Sequence, residues 1–170
     1  MWPFGKKKTL PGITYDEHGN MKFSLTDEEQ QAIQQTFDYF KKPDEKFYVS
    51  PEYVDEMRNA LYSQALMSYA REQITASDFD SQKEHKQKFI EKAIAAIGKA
   101  YTFYPLPIYL YDLASFMEMY GNLEAKKNIF LDFLKSQADY KPTKIGEILL
   151  KSLGRDIIYA IKDAEQKLQK

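Results

Sequence analysis

Cysteine is absent from the 170-residue chain. That excludes a disulfide framework, a thiolate metal site and a cysteine nucleophile, and it is compatible with a cytosolic address. Histidine is nearly as scarce: His18 and His85 lie far apart in sequence, and neither has a second histidine or a cysteine at metal-ligand spacing. Zinc chemistry therefore has no donor set, and the sequence implies no cofactor. A surplus of charge is missing too. Lys and Arg total 24 against 25 for Asp and Glu, a formal net charge of -1. Nothing draws the chain as a whole to nucleic acid or anionic lipid. No run approaches the roughly 18 apolar residues of a membrane span, and the N-terminus lacks the apolar stretch of a secretory signal. The seven glycines are isolated, so no glycine-rich phosphate loop is expected. Carboxylates are plentiful, but Asp27, Glu28 and Glu29, and again Asp78 and Asp80, fall at expected helix starts, where the helix dipole explains them. No pair stands out as catalytic, and the chain is expected not to be an enzyme.

What remains is helical periodicity and a heavy aromatic load. Residues 1–12 carry two prolines and two glycines without periodicity and read as a flexible tail. In that tail Trp2 and Phe4 beside Lys6, Lys7 and Lys8 have the composition of a weak interfacial membrane anchor, each lysine adding about 1 kcal/mol near anionic lipid. Met21, Phe23 and Leu25 alternate with polar residues after the turn-forming His18-Gly19-Asn20, which predicts a small β-hairpin over residues 13–25. From Thr26 the period changes to that of helices. Thr26 and Glu29 have capping-box spacing before a face of Ile33, Phe37 and Phe40. Ser50-Pro51 suits a second helix start, and Ser81 with Glu84 a third. Pro105 and Pro107 then break the chain, Gly121 suits a left-handed helix end, and Pro142-Thr143 opens a stripe from Ile145 to Leu168 that keeps its phase through Gly154. That stripe predicts one long C-terminal helix. At this length folding buries roughly 70% of the unfolded surface, so residues 13–170 are expected to form one helical domain.

Within "EKAIAAIGKAYTFYP", Ala93, Ile97, Ala100 and Pro105 stand at intervals that resemble the second helix of a tetratricopeptide repeat with its terminal proline. Leu113, Ala114, Gly121 and Phe130 in "LASFMEMYGNLEAKKNIF" are similar to the turn and flanks of the next repeat, and "LYSQALMSYARE" to an opening helix with Ala65 as its small residue. The resemblance spans about residues 61–136; a generic helical bundle is the alternative. It implies an all-α fold of antiparallel hairpins stacked in a short array, with the long C-terminal helix and the N-terminal hairpin added. It also implies a concave surface at Tyr62, Leu66 and Tyr69 on one helix and at Ile108, Tyr111, Ser115 and Glu118 on another. The basic carboxylate clamp of some family members is not present at these positions.

The functional expectation is an adaptor that binds a protein or peptide segment in a tyrosine-rich groove, with its rings partly accessible before a partner arrives. Two alternatives stand beside it: a small-ligand protein or enzyme with a cavity between helices, and a structural subunit held at a membrane surface by the tail. The expected address is cytoplasmic, with peripheral membrane contact through the tail as its variant.

Overall fold

The computed structural model describes residues 10–40 and 51–170. Trp2, Phe4, Lys6, Lys7, Lys8 and the expected cap Ser50 lie outside the described residues. The described part of the chain is all-α apart from one small antiparallel hairpin. Strand β1 (Ile13–Tyr15) pairs with β2 (Met21–Phe23) in the register Ile13 to Phe23 and Tyr15 to Met21. The Asp16 carboxylate closes the turn by accepting the His18 and Asn20 amides at 2.9 and 2.8 Å. Two strands are marginal alone, and here Leu10 and Ile13, each 1% exposed, sink into the helical core.

Helix α1 (Asp27–Phe40) starts with the expected capping box. The Thr26 amide donates to Glu29 Oε1 at 3.0 Å, and the Glu29 amide to Thr26 Oγ1 at 3.2 Å. A 3-10 turn at Pro51–Tyr53 leads into α2 (Val54–Phe79), which forms a hairpin with α3 (Lys83–Phe103). Helices α4 (Pro107–Tyr120) and α5 (Leu123–Asp139) form a second hairpin, and α3 packs on α4. Gly121 adopts φ 92° at the end of α4, a conformation that only glycine takes without strain. Small residues line the α3 core face: Ala93, Ala96 and Ala100 are fully buried beside Ile94 and Ile97. They permit close approach of paired helices. Ala93→Phe is therefore expected to cost about 1–3 kcal/mol by overpacking, seen as a drop in melting temperature that Lys88→Phe, on the opposite and exposed face of α3, does not cause.

Two local expectations need correction. The last helix is not continuous: α6 (Lys144–Leu153) ends at Gly154, whose φ of 61° is left-handed, and α7 (Ile157–Gln169) restarts from Asp156, which caps the Tyr159 amide at 2.9 Å. The apolar phase survives because the break reorients the chain onto the same core. Helix α3 starts at Lys83 with Gln82, not the expected Ser81, at the cap position, and the Asp80 carboxylate accepts the Gln82 amide at 2.8 Å. The added elements cover the hairpins. Helix α1 lies on α2, α6 on α2, and α7 on α5 and α4. No described helix is long and apolar enough to cross a membrane.

Candidate functional site

The seven residues expected to bind a partner occupy α2 and α4, but the chain's own helices reach them first. Tyr62 is half-buried, its ring 5.4 Å from Phe37 of α1 and 5.1 Å from Phe103 of α3. Leu66 and Ile108 are core residues. Tyr69 is 7% exposed and donates its hydroxyl to Glu28 of α1 at 2.5 Å. Tyr111 is 8% exposed, packs on Phe130 and Phe133 with centroids 5.7 and 5.6 Å away, and donates to Asp163 of α7 at 2.7 Å. Ser115 returns its hydroxyl to the Tyr111 carbonyl of its own helix at 3.1 Å. Glu118 is exposed and lies 3.7 Å from both Lys126 and Lys167. The expectation of accessible rings at Tyr69 and Tyr111 thus gives way to burial. Its cause is the coverage of α2 by α1 and of α4 by α7, which a comparison confined to residues 61–136 leaves out.

An open groove of about 310 Å³ remains between α1 and α2. Ala32, Gln35, Thr36 and Tyr39 supply one wall at helical spacing, and Gln64, Ala65, Ser68, Tyr69 and Glu72 supply the other. Ala65 forms a buried floor, and Tyr39 stands 63% exposed at the rim. Gln64 donates to Ser152 of α6 at 2.7 Å, which ties this edge of the groove to the C-terminal helices. Tyr69 is the member of the expected site that also lines this groove.

The acidic start of α1 does more than answer the helix dipole. Glu28 accepts from Tyr69 and from Lys92 of α3, the latter at 3.2 and 3.3 Å. The Tyr69 hydrogen bond, then Lys92, holds the Glu28 carboxyl below its ordinary value against partial burial. Burial first, and Glu28 second, push the Tyr69 phenol well above its ordinary value, so it remains a neutral donor. Glu29 is deeper. It pairs with Lys99 of α3, both side chains being at most 2% exposed, and Lys99 Nζ also donates to the Pro11 carbonyl at 2.9 Å. Gly12 lies against this pair at φ 70°, where a methyl group would overlap the Ser24 carbonyl oxygen. One buried cation thus fastens the N-terminal segment, α1 and α3 together, and neither lysine was legible as a partner from sequence.

Asp163 is also held below its ordinary value, since the Tyr111 and Lys167 bonds outweigh the opposing effect of burial. Glu28 and Asp163 therefore add stability above the unfolded carboxylate value, about pH 4, and lose it as pH falls through their lower folded values. Asp112 has the opposite sign: burial raises its pKa despite Arg155, so its contribution is present at low pH and lost as pH rises through the folded value. The melting temperature is expected to fall below about pH 4, and the double substitution Tyr69→Phe, Tyr111→Phe is expected to flatten that fall.

The two histidines each sit beside one carboxylate, His18 at 3.5 Å from Glu17 and His85 at 3.4 Å from Asp80. Among the described residues no three His, Asp or Glu side chains converge as a metal site would require. No protein-family model, curated protein or solved structure matches the chain.

Proposed function

We propose that the chain is a non-catalytic interaction module of helical hairpins that receives a partner's peptide segment in the groove between α1 and α2. The observation that carries this reading is the composition of the groove. An exposed Tyr39 stands over an alanine floor, between walls of the amide and hydroxyl side chains of Gln35, Gln64 and Ser68. Amide side chains both donate and accept, which suits the alternating N–H and C=O groups of a peptide backbone. A tyrosine at the rim adds apolar area at low conformational cost. Among the described residues Glu72 is the one ionised group on the walls, and it favours a neutral or basic segment over an acidic one.

The tetratricopeptide resemblance supports the same reading, since α2–α3 and α4–α5 are consecutive hairpins. A cytoplasmic address is part of the proposal and fits a chain without cysteine. Selection of peptides from a random library on the full chain tests the site. Ser68→Arg fills the groove from an exposed position, and selected peptides are expected to bind it at least about tenfold more weakly, or about 1.4 kcal/mol. Lys86→Ala, at an exposed position of α3 that does not line the groove, is expected to leave their affinity unchanged. Peptides indifferent to Ser68→Arg would place binding elsewhere.

A further inference from the structure

The α1–α2 groove has two unlike ends. The two helices run antiparallel, since Glu28 meets Tyr69 and the Phe37 ring meets the Tyr62 ring. Tyr39 therefore stands at the Gln64 end, and Glu72 lies at the other, beside the first turn of α1 with its Asp27 and Glu28. One end is aromatic and the other acidic. From Gln64 to Glu72 is about 12 Å at 1.5 Å per helical residue, a span that about four residues of an extended segment cover.

The chain's own residues 1–9 carry the complementary groups in the matching order. They lie outside the described part, which begins at the buried Leu10. Their root is fixed beside the acidic end: Lys99 joins the Pro11 carbonyl to Glu29, and the neighbouring Glu28 bonds Tyr69 on the groove wall. Counting outward from that root, Lys8, Lys7 and Lys6 come first, and Phe4 and Trp2 come last. A segment laid along the groove from there sets its lysines against Glu72, Asp27 and Glu28 and its rings against Tyr39, so charge and aromatic area both meet their complements. Phe4 to Lys8 and Trp2 to Lys6 are each a step of four residues, which matches the length of the groove. The eight residues from Leu10 back to Trp2 reach up to about 26–29 Å when extended, roughly twice that length.

We propose that residues 1–9 are the groove's own ligand, with Trp2 and Phe4 at the Tyr39 end and Lys6, Lys7 and Lys8 at the Glu72 end, and that a partner segment enters by displacing them. The inference rests on the groove being a peptide site and adds its regulation. Trp2 is the one tryptophan of the sequence, so fluorescence of the full chain reports on this segment alone. In the wild type its emission is expected to be blue-shifted from that of the urea-unfolded chain and shielded from acrylamide. Ser68→Arg, which fills the groove, and Glu72→Lys, which reverses the charge at its acidic end, are each expected to return emission and quenching to the unfolded values. Both positions are exposed, and unchanged circular dichroism checks that the variants fold. A tethered segment competes at an effective concentration on the order of 1 mM, so a synthetic peptide of residues 1–9 is expected to bind the Trp2→Ala, Phe4→Ala chain at least about tenfold more tightly than wild type.

Equal quenching of Trp2 in the wild type and both variants would overturn the proposal, while library-selected peptides that still lose affinity to Ser68→Arg would leave the groove reading standing. Peptides selected on the Trp2→Ala, Phe4→Ala chain that are also indifferent to Ser68→Arg would overturn both. A blue shift that grows with protein concentration would assign the segment to the groove of a second copy, and one that appears only with phosphatidylserine vesicles would assign it to an anionic lipid surface. Either result overturns the proposal.

Discussion

Lys99→Met is expected to destabilise the fold by about 3–5 kcal/mol, because removing one member of a buried ion pair strands the other charge. Methionine keeps the length and apolar stem of the side chain, so packing alone predicts a small loss. The electrostatic part dominates. Glu29 is 2% exposed; among the described residues its Oε2 has no hydrogen-bond partner, and without Lys99 its Oε1 keeps only the Thr26 amide. The Pro11 carbonyl loses its donor in the same step. Adding Glu29→Leu to Lys99→Met is expected to recover a large part of the loss, since a pair of apolar residues can replace a buried ion pair at little cost. Urea unfolding of the three chains measures both effects. A single substitution costing less than about 1 kcal/mol, the range of an exposed pair, would contradict the burial of Lys99.

Phe133→Ala is expected to cost about 3–5 kcal/mol, the transfer of a buried ring plus the cavity that it leaves. Phe133 is fully buried and packs on Tyr111, which also packs on Phe130. These three rings form the seat on which α7 lies. Loss of the ring should therefore loosen α7 beyond the global loss, seen as faster amide exchange at residues 157–169. A drop in stability confined to α4 and α5, with α7 exchange unchanged, would detach the C-terminal helices from that seat.

The helical elements were legible because their signals are local. Thr26 and Glu29 make the capping box that their spacing requires, and Gly121 ends α4 in the left-handed conformation. The α3 stripe of Ala93, Ile97 and Ala100 is buried as its period implies. What sequence periodicity does not carry is which element covers which. Tyr69 and Tyr111 read as exposed ligands when only the hairpins are considered, and become core once Glu28 and Asp163 reach them from α1 and α7, 41 and 52 residues away along the chain. The break at Gly154 was hidden for a related reason. An apolar stripe records the face that a helix buries, not whether its axis is continuous, and a three-residue turn can preserve phase. Lys99 shows the same limit, since a lysine amid small apolar residues is an anomaly in the pattern whose partner, Glu29, lies 70 residues away. The groove between α1 and α2 arises from two faces that each look like ordinary solvated helix surface. Gln35 and Ser68 acquire a shared environment only through tertiary packing.

The central claim is that a partner segment lies between α1 and α2, and its most direct test is the amide-exchange footprint of a library-selected peptide on the full chain. The account predicts slowed exchange at residues 32–39 and 64–72, with α3 and α5 unchanged. Protection confined to any other helix pair, with residues 32–39 and 64–72 exchanging as in the free chain, would contradict it.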